Sequence, residues 1–333
     1  MAERTHSDPV SVEPGKRHVR VPITFELTDI ALLGGTIIDG LLLGGIYALA
    51  ALGISLTFSV TNLLNLAHGN LIMMGAVLTF VFYSLLGGSA LGPLALLATL
   101  LLVLLAFTAL GATIEYGLVR PILNNFSDIL ISGILVTVGL ALLLQDVGAY
   151  ILVKDPANFS RSTTISLTLP FINSVVVGGY YFASSKLFSM IVIVAASVGL
   201  YLFFKRTYLG MAMRSISQDR DAAAVVGVNL RRISVITFTI GTLFAGFAGF
   251  ILVIDQTPDP ALGLGYTIKL LTIMVLGGVK SPLGPVAGGL LLGVIELLVA
   301  SIFGAYWVSA VSLIILISIL LISPTGLTGR RIR

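Results

Sequence analysis

The feature that most limits what this chain can fold into is a series of long apolar runs. They lie at residues 31–60, 70–87, 93–118, 128–153, 188–204, 233–254, 267–279, 285–303 and 306–322. A helix needs about 20 apolar residues to cross a bilayer, within a range of about 17 to 25, and most of the runs fit one crossing. Charged residues make up only 10% of the chain, against about 25% in an ordinary soluble domain. The expected fold class is an all-α polytopic membrane protein with about nine to ten transmembrane helices and discontinuous segments.

Two runs fit poorly. Residues 31–60, followed by the polar stretch Asn62–His68, are long for one crossing and short for two. Residues 267–279 are too few, and Gly263, Gly265, Gly277, Gly278 and Gly284 surround them. Broken helices at membrane depth are tolerated only inside protein or along an aqueous cavity, so a pathway is sought at these two places. Dividing the first run near Leu52-Gly53 gives ten crossings and an internal N-terminus, which is the preferred expectation. Left whole, the run gives nine crossings and an external N-terminus.

Basic residues orient the chain. Residues 205–232 hold Lys205, Arg206, Arg214, Arg220, Arg231 and Arg232 against Asp219 and Asp221, and Arg330, Arg331 and Arg333 close the C-terminus. Both segments are expected on the cytoplasmic side, with Arg120, while 154–187 forms the long external loop. The Ser-Thr-Thr-Ile-Ser-Leu-Thr-Leu run in that loop alternates like a short strand, and the loop could dock an external partner. Residues 1–29 form a polar tail, and 30–330 the transmembrane domain. The net charge of +4 follows from the basic loops, so nucleic acid is not an expected partner. With no cysteine in the chain, disulfides, zinc thiolates and thiol catalysis are excluded.

Charges inside the runs need a reason, since each costs about 2.5–3.5 kcal/mol at mid-helix on insertion scales. Asp39, Glu115, Asp128 and Lys269 lie near run ends, where reaching the interface would suffice. Glu296 sits well inside its run, and Asp146 raises the same question. The Asn65-Leu-Ala-His68-Gly69-Asn70 string gathers polar side chains and a flexible glycine in one break. The ends of broken helices present polar groups to solutes. The expected pathway residues are Asn65, His68, Gly69, Asn70, Gly277, Gly278, Ser281 and Glu296.

No Gly-x-Ser-x-Gly elbow, His-Glu-x-x-His or phosphate-binding P-loop is present, and no catalytic residue, metal site or cofactor is assigned. If transport is ATP-driven, the ATPase is a separate chain. The Arg214–Gly227 segment holds an alanine-rich stretch bounded by glycine. It suits either a short helix lying across the membrane surface into a partner's groove or a solvated basic loop.

These segments together resemble a known family. Gly45-Ile-Tyr47-Ala-Leu-Ala-Ala-Leu-Gly53 followed by Asn65-Leu-Ala67-His68-Gly69 resembles the N-terminal signature of branched-chain amino acid ABC transporter permeases. Gln218-Asp219-Arg-Asp221-Ala222-Ala223…Gly227 resembles their cytoplasmic coupling loop. Leu276-Gly277-Gly278-Val-Lys280-Ser281…Gly284…Gly288-Gly289 and Pro324-Thr-Gly326-Leu-Thr-Gly329-Arg330 resemble their C-terminal signatures. Lys280 departs from the glycine usual there, and the polar tail is longer than usual.

The resemblance implies a non-catalytic, multi-pass subunit of a prokaryotic inner (plasma) membrane. Its implied partners are a second homologous permease, two cytoplasmic ABC ATPases and an external solute-binding protein. Arg214, Gln218, Asp219, Asp221, Ala222, Ala223 and Gly227 would couple it to the ATPase. Branched-chain or other hydrophobic amino acids are the implied cargo, with urea or short amides as the alternative. An ion-coupled secondary transporter is the alternative of another class.

Overall fold

The computed structural model describes residues 27–87, 93–125, 128–154, 174–177, 180–278 and 284–322. The polar residues 1–26, the alternating run at 162–169, Lys280, Ser281 and the Pro324–Arg330 signature lie outside the described residues.

Helix α1 (Leu27–Thr61) is followed by α2 (His68–Leu85) and α3 (Pro93–Ile114). A π-turn over Glu115–Val119 then leads into α4 (Arg120–Asn125), and α5 (Ile129–Lys154) comes next. After these come α6 (Ser184–Arg206), α7 (Tyr208–Gln218), α8 (Arg220–Val225) and α9 (Leu230–Asp255). The bundle finishes with α10 (Gly263–Gly277), α11 (Gly284–Phe303) and α12 (Trp307–Ile322). Among the described residues the strands form one antiparallel hairpin, β1 (Ser174–Val177) paired with β2 (Tyr180–Ala183). Eight helices among the described residues are long and apolar enough to cross a membrane, and α12 is a shorter apolar helix.

The expected division of the first run is wrong. Helix α1 passes unbroken through Leu52-Gly53. Gly53 is there for packing: a Cβ on it would lie 2.7 Å from the Gly241 carbonyl oxygen of α9. The break comes after Thr61, where Asn62 takes a left-handed φ of 55° and a short non-helical link ending in a turn reaches α2.

The bundle has an inner layer and an outer one. Helices α1, α2, α9 and α10 are mostly buried, while α3, α5, α6 and α11 present most of their surface outward. Close approach depends on small residues, as is usual between helices in lipid. Gly40-Leu-Leu-Leu-Gly44 on α1 meets Gly289-Leu-Leu-Leu-Gly293 on α11. A Cβ on Gly44 would sit 2.7 Å from the Gly289 carbonyl oxygen, and one on Gly289 2.7 Å from the Ala48 Cα. Two main apolar clusters follow, beside a small one of Val77, Phe80 and Leu152. The larger joins α1, α2, α3 and α9. The smaller packs Leu52, Leu56 and Val60 of α1 against Met213 and Ile216 of α7, Ala223 of α8 and Ile233 of α9. It seats the short helices beneath one end of the bundle.

Candidate functional site

The break between α1 and α2 is held by hydrogen bonds to three helices, α1, α5 and α10. Asn65 Oδ1 accepts from the Ala67 amide at 3.0 Å, and His68 Nε2 lies 3.1 Å from the Ala50 carbonyl oxygen of α1. The Gly69 amide donates to Thr267 Oγ1 of α10 at 3.0 Å, and Thr267 donates back to the Leu66 carbonyl at 3.0 Å. Asn70 Nδ2 donates to the Ala141 carbonyl of α5 at 2.8 Å. Asn65, His68 and Asn70 are all buried. The string therefore fixes where α2 starts and ties α10 to it. One polar atom remains over: Asn70 Oδ1 is buried without a donor.

Gly69 has to be glycine here, because a Cβ would run into the Gly263 carbonyl and Thr267 backbone of α10. The other glycine-rich break lies at the far end of α10. Gly277 packs against the Gly284 backbone, and Gly278 ends the helix with a φ of +93°, a conformation open to glycine at little cost.

Between these breaks lies a polar cluster at mid-depth. Glu296 of α11 is 1% exposed, and its Oε2 lies 2.8 Å from the ammonium of Lys269 on α10, itself 17% exposed. Tyr47 donates its hydroxyl to the same carboxylate oxygen at 2.9 Å and accepts from Lys269 at 2.9 Å. Ser312 of α12 donates to Oε1 at 2.6 Å. The rings of Tyr47 and Tyr266 lie 5.2 and 5.7 Å from the ammonium. Tyr47 is the middle residue of the apolar stretch Leu33–Thr61, so the pair sits far from either surface. Lys269 therefore does not reach the interface, as its place near a run end suggested; it neutralises Glu296 instead.

Glu115 also departs from expectation. It is 1% exposed, and within the π-turn it accepts from Ser234 of α9 at 3.5 Å. Asp39 pairs with Lys186 of α6 at 2.8 Å. Asp128 and Asp146 are exposed.

At the seated end, the residues of the 205–232 segment make two helices. Thr207 caps α7 through a 3.0 Å bond from the Gly210 amide. Asp219 ends α7 and caps α8, its Oδ1 accepting from the Asp221 and Ala222 amides at 3.0 Å each. Gly227, at φ +89°, closes α8. The Val228 amide bonds the Ala223 carbonyl and the Gly227 amide the Ala224 carbonyl, a pattern that caps a helix C-terminus. Ala223 is the buried position of this helix, whereas Val225 and Val226 are 87% and 77% exposed. Arg214 is half-buried, and Asp221 and Ala222 are exposed. Gln218 and Arg220 line a crevice of about 140 Å³ with Ser59 and Asn62 at the end of α1. Of the residues expected to couple the chain to an ATPase, Gln218 thus lies beside the end of α1, and Ala223 is buried in the cluster that packs against that end.

The sequence-based reading missed Tyr47, Tyr266, Lys269 and Ser312 as site residues. The available signal was the placing of polar side chains in helices otherwise apolar, at positions whose partners lie on other helices.

The sequence matches, over residues 36–320, the family described as "Branched-chain amino acid transport system / permease component". BraD of Pseudomonas aeruginosa, a high-affinity branched-chain amino acid transport system permease protein, is 32% identical over 298 residues, covering 88% of this chain and 95% of its own. LivH of Escherichia coli, a permease protein of the same description, is 30% identical over 300 residues, covering 88% and 94%. A probable LivH of Methanocaldococcus jannaschii is 28% identical over 312 residues, covering 91% and 94%. A match of this extent takes in α2 through α11 whole and all of α1 and α12 but their outer ends, and this multi-pass membrane protein belongs to the branched-chain amino acid transport permease family.

Proposed function

We propose that the chain is the pathway-forming subunit of an ABC importer for branched-chain or other hydrophobic amino acids. In this reading it does no bond chemistry. Separate cytoplasmic ATPases drive it, an external solute-binding protein supplies the cargo, and a second permease completes the pore. The observation that carries the reading is α8. This helix of six residues is capped at both ends, and its capping residues are those of the coupling-loop signature. It carries two exposed valines on a segment rich in arginine. A helix this short is not stable by propensity alone. Its two caps and the buried Ala223 give it a fixed shape that a partner can push on.

Movement at α8 reaches the membrane through α1. Helix α7 packs under Leu52, Leu56 and Val60, and α1 carries Tyr47 of the mid-depth cluster. We place the pathway along α10, which has a glycine break at its C-terminal end and is held at two polar points, Thr267 and Lys269. Glu296, Gly277 and Gly278 belong to that path. Asn65, His68 and Gly69 fix its upper end, where Asn70 Oδ1 is the polar atom open to a donor. Ser281 is carried as a pathway residue on its signature alone.

The test is purification of the full chain with its co-eluting subunits, reconstitution in vesicles, and uptake of labelled leucine, urea and short amides. ATP-dependent leucine uptake with the binding protein present is expected. Uptake by this chain alone, driven by an ion gradient, would defeat the reading. ATP-dependent uptake of urea in place of leucine would keep the mechanism and change the cargo.

A further inference from the structure

A concave pocket of about 430 Å³ opens between the π-turn after α3 and the start of α9, at the end of the bundle that carries α7 and α8. Its polar wall holds Tyr116, Arg120, Asn229, Arg231 and Arg232. None of the three guanidinium groups has a carboxylate against it among the described residues, where the ion pairs are Lys186–Asp39 and Lys269–Glu296. The guanidinium of Arg120 lies 4.7 Å over the Tyr116 ring, and its Nε is buried without an acceptor. The acidic group coupled to this cluster is Glu115, which feels Arg120 and Arg231 from inside the protein. One buried carboxylate against three arginines leaves the pocket net positive.

The lining is also ordered. Asn229, Arg231 and Arg232 stand at the first turn of α9, and Val235 and Ile236 line the pocket one turn further along this membrane-length helix. The wall therefore changes from cationic to apolar in the direction that runs into the bilayer. A phospholipid has the same order: phosphate first, then glycerol and acyl chain. Guanidinium groups hold phosphate through paired hydrogen bonds, and basic pockets between transmembrane helices on the cytoplasmic side receive anionic headgroups. A free phosphate would use the arginines and leave Val235 and Ile236 without a role.

We propose that this pocket is a binding site for an anionic phospholipid, with its phosphate on Arg120, Arg231 and Arg232 and its first methylenes against Val235 and Ile236. The site sits where α9 leaves α8, so an occupied pocket fixes the start of α9 relative to the docking helix.

The test uses the full chain purified in detergent with its co-eluting subunits. Native mass spectrometry and thermal unfolding are read after adding phosphatidylglycerol, phosphatidylcholine or inorganic phosphate. Phosphatidylglycerol is expected to stay bound and to stabilise, and the other two to do neither. Arg231→Gln/Arg232→Gln should weaken its binding about tenfold or more, from about 1 kcal/mol per basic residue near an anionic surface. Lys205→Gln/Arg206→Gln removes the same charge from exposed positions outside the pocket and should change binding little. Equal loss in the two double variants would reduce the effect to general surface charge and overturn the site. Equal binding of phosphatidylcholine, or stabilisation by inorganic phosphate, would overturn it too.

Discussion

Removing one member of the Lys269–Glu296 pair should cost more than removing both. Lys269→Met leaves Glu296, 1% exposed, with only the hydroxyls of Tyr47 and Ser312 as donors. An uncompensated buried charge of this kind costs about 3–5 kcal/mol. Glu296→Leu leaves the ammonium in a gentler place. It keeps the Tyr47 hydroxyl at 2.9 Å and two aromatic faces, and at 17% exposure its head can shift toward water. Aromatic faces return about 0.5–2 kcal/mol to a cation, so the loss should be about 2–3 kcal/mol. In the double variant no charge remains. Ser312 still donates to the Val308 carbonyl at 3.0 Å, and only the Tyr47 hydroxyl loses its acceptor, at about 1–2 kcal/mol. The cycle therefore predicts a coupling of at least about 3 kcal/mol. It can be measured by reversible unfolding in bicelles with increasing dodecyl sulfate. A double variant destabilised by the sum of the two singles would show that the ion pair makes no net contact. Transport adds a second reading on the same proteins. If the pair only holds helices together, the stable double variant keeps ATP-driven uptake; if it lines the pathway, uptake falls while the fold survives.

The remaining predictions concern the short helices and one crossing. Asp219→Ala removes the N-cap of α8 and should cost about 1 kcal/mol locally. The expected result is lower substrate-stimulated ATPase with unchanged expression, read on the reconstituted complex. Gly227→Ala forces a side chain onto a φ of +89° at a cost of about 1–2 kcal/mol, with the same functional signature. Val225→Asp, at a position 87% exposed, should leave thermal stability within about 0.5 kcal/mol and abolish ATPase co-purification; retention of the ATPase would remove α8 from the docking surface. Gly289→Val places branched carbon against the Ala48 backbone and should destabilise by about 3 kcal/mol or more, since overpacking a tight crossing costs about 1–3 kcal/mol even in deformable cores. The check is loss of folded monomer on fluorescence-detected gel filtration.

What could and could not be read from the sequence follows from the range of each interaction. The helix runs, the break between Thr61 and His68, and the short glycine-bounded α10 are local patterns of hydropathy and turn residues, and they were legible. The double cap of α8 was nearly so, since Asp219 and Gly227 stand at the ends of an alanine-rich stretch; that α7 and α8 are two helices turned at Asp219 was not. Gly53 shows the limit well. A glycine that permits a close helix crossing and one that breaks a helix look alike in sequence, and only the Gly241 carbonyl beside it decides. Lys269 fails for the same reason at longer range. A lysine near a run end looks interfacial until Glu296, on the next helix, is seen 2.8 Å away.

That pairing also changes what the polar break means. The side chains of the Asn65–Asn70 string are engaged with the backbone of α1, α5 or their own link, and its backbone with the Thr267 hydroxyl of α10, so the string is not by itself an open solute path in this conformation. Around the break and the cluster, two groups have spare capacity: Asn70 Oδ1, buried without a donor, and the ammonium of Lys269, whose bonds here use two of its three hydrogens. Both touch α10 or lie on it. On the proposed pathway, a motion that opens a passage would shift this helix, which with α1 joins the polar break to the mid-depth cluster. Its C-terminal end is bounded by Gly277 and Gly278, where a backbone can turn at least cost. The demand on α1 is then specific. To transmit a push from α8, it has to stay straight from Val60 to Tyr47, and an unbroken helix through Gly53 provides that.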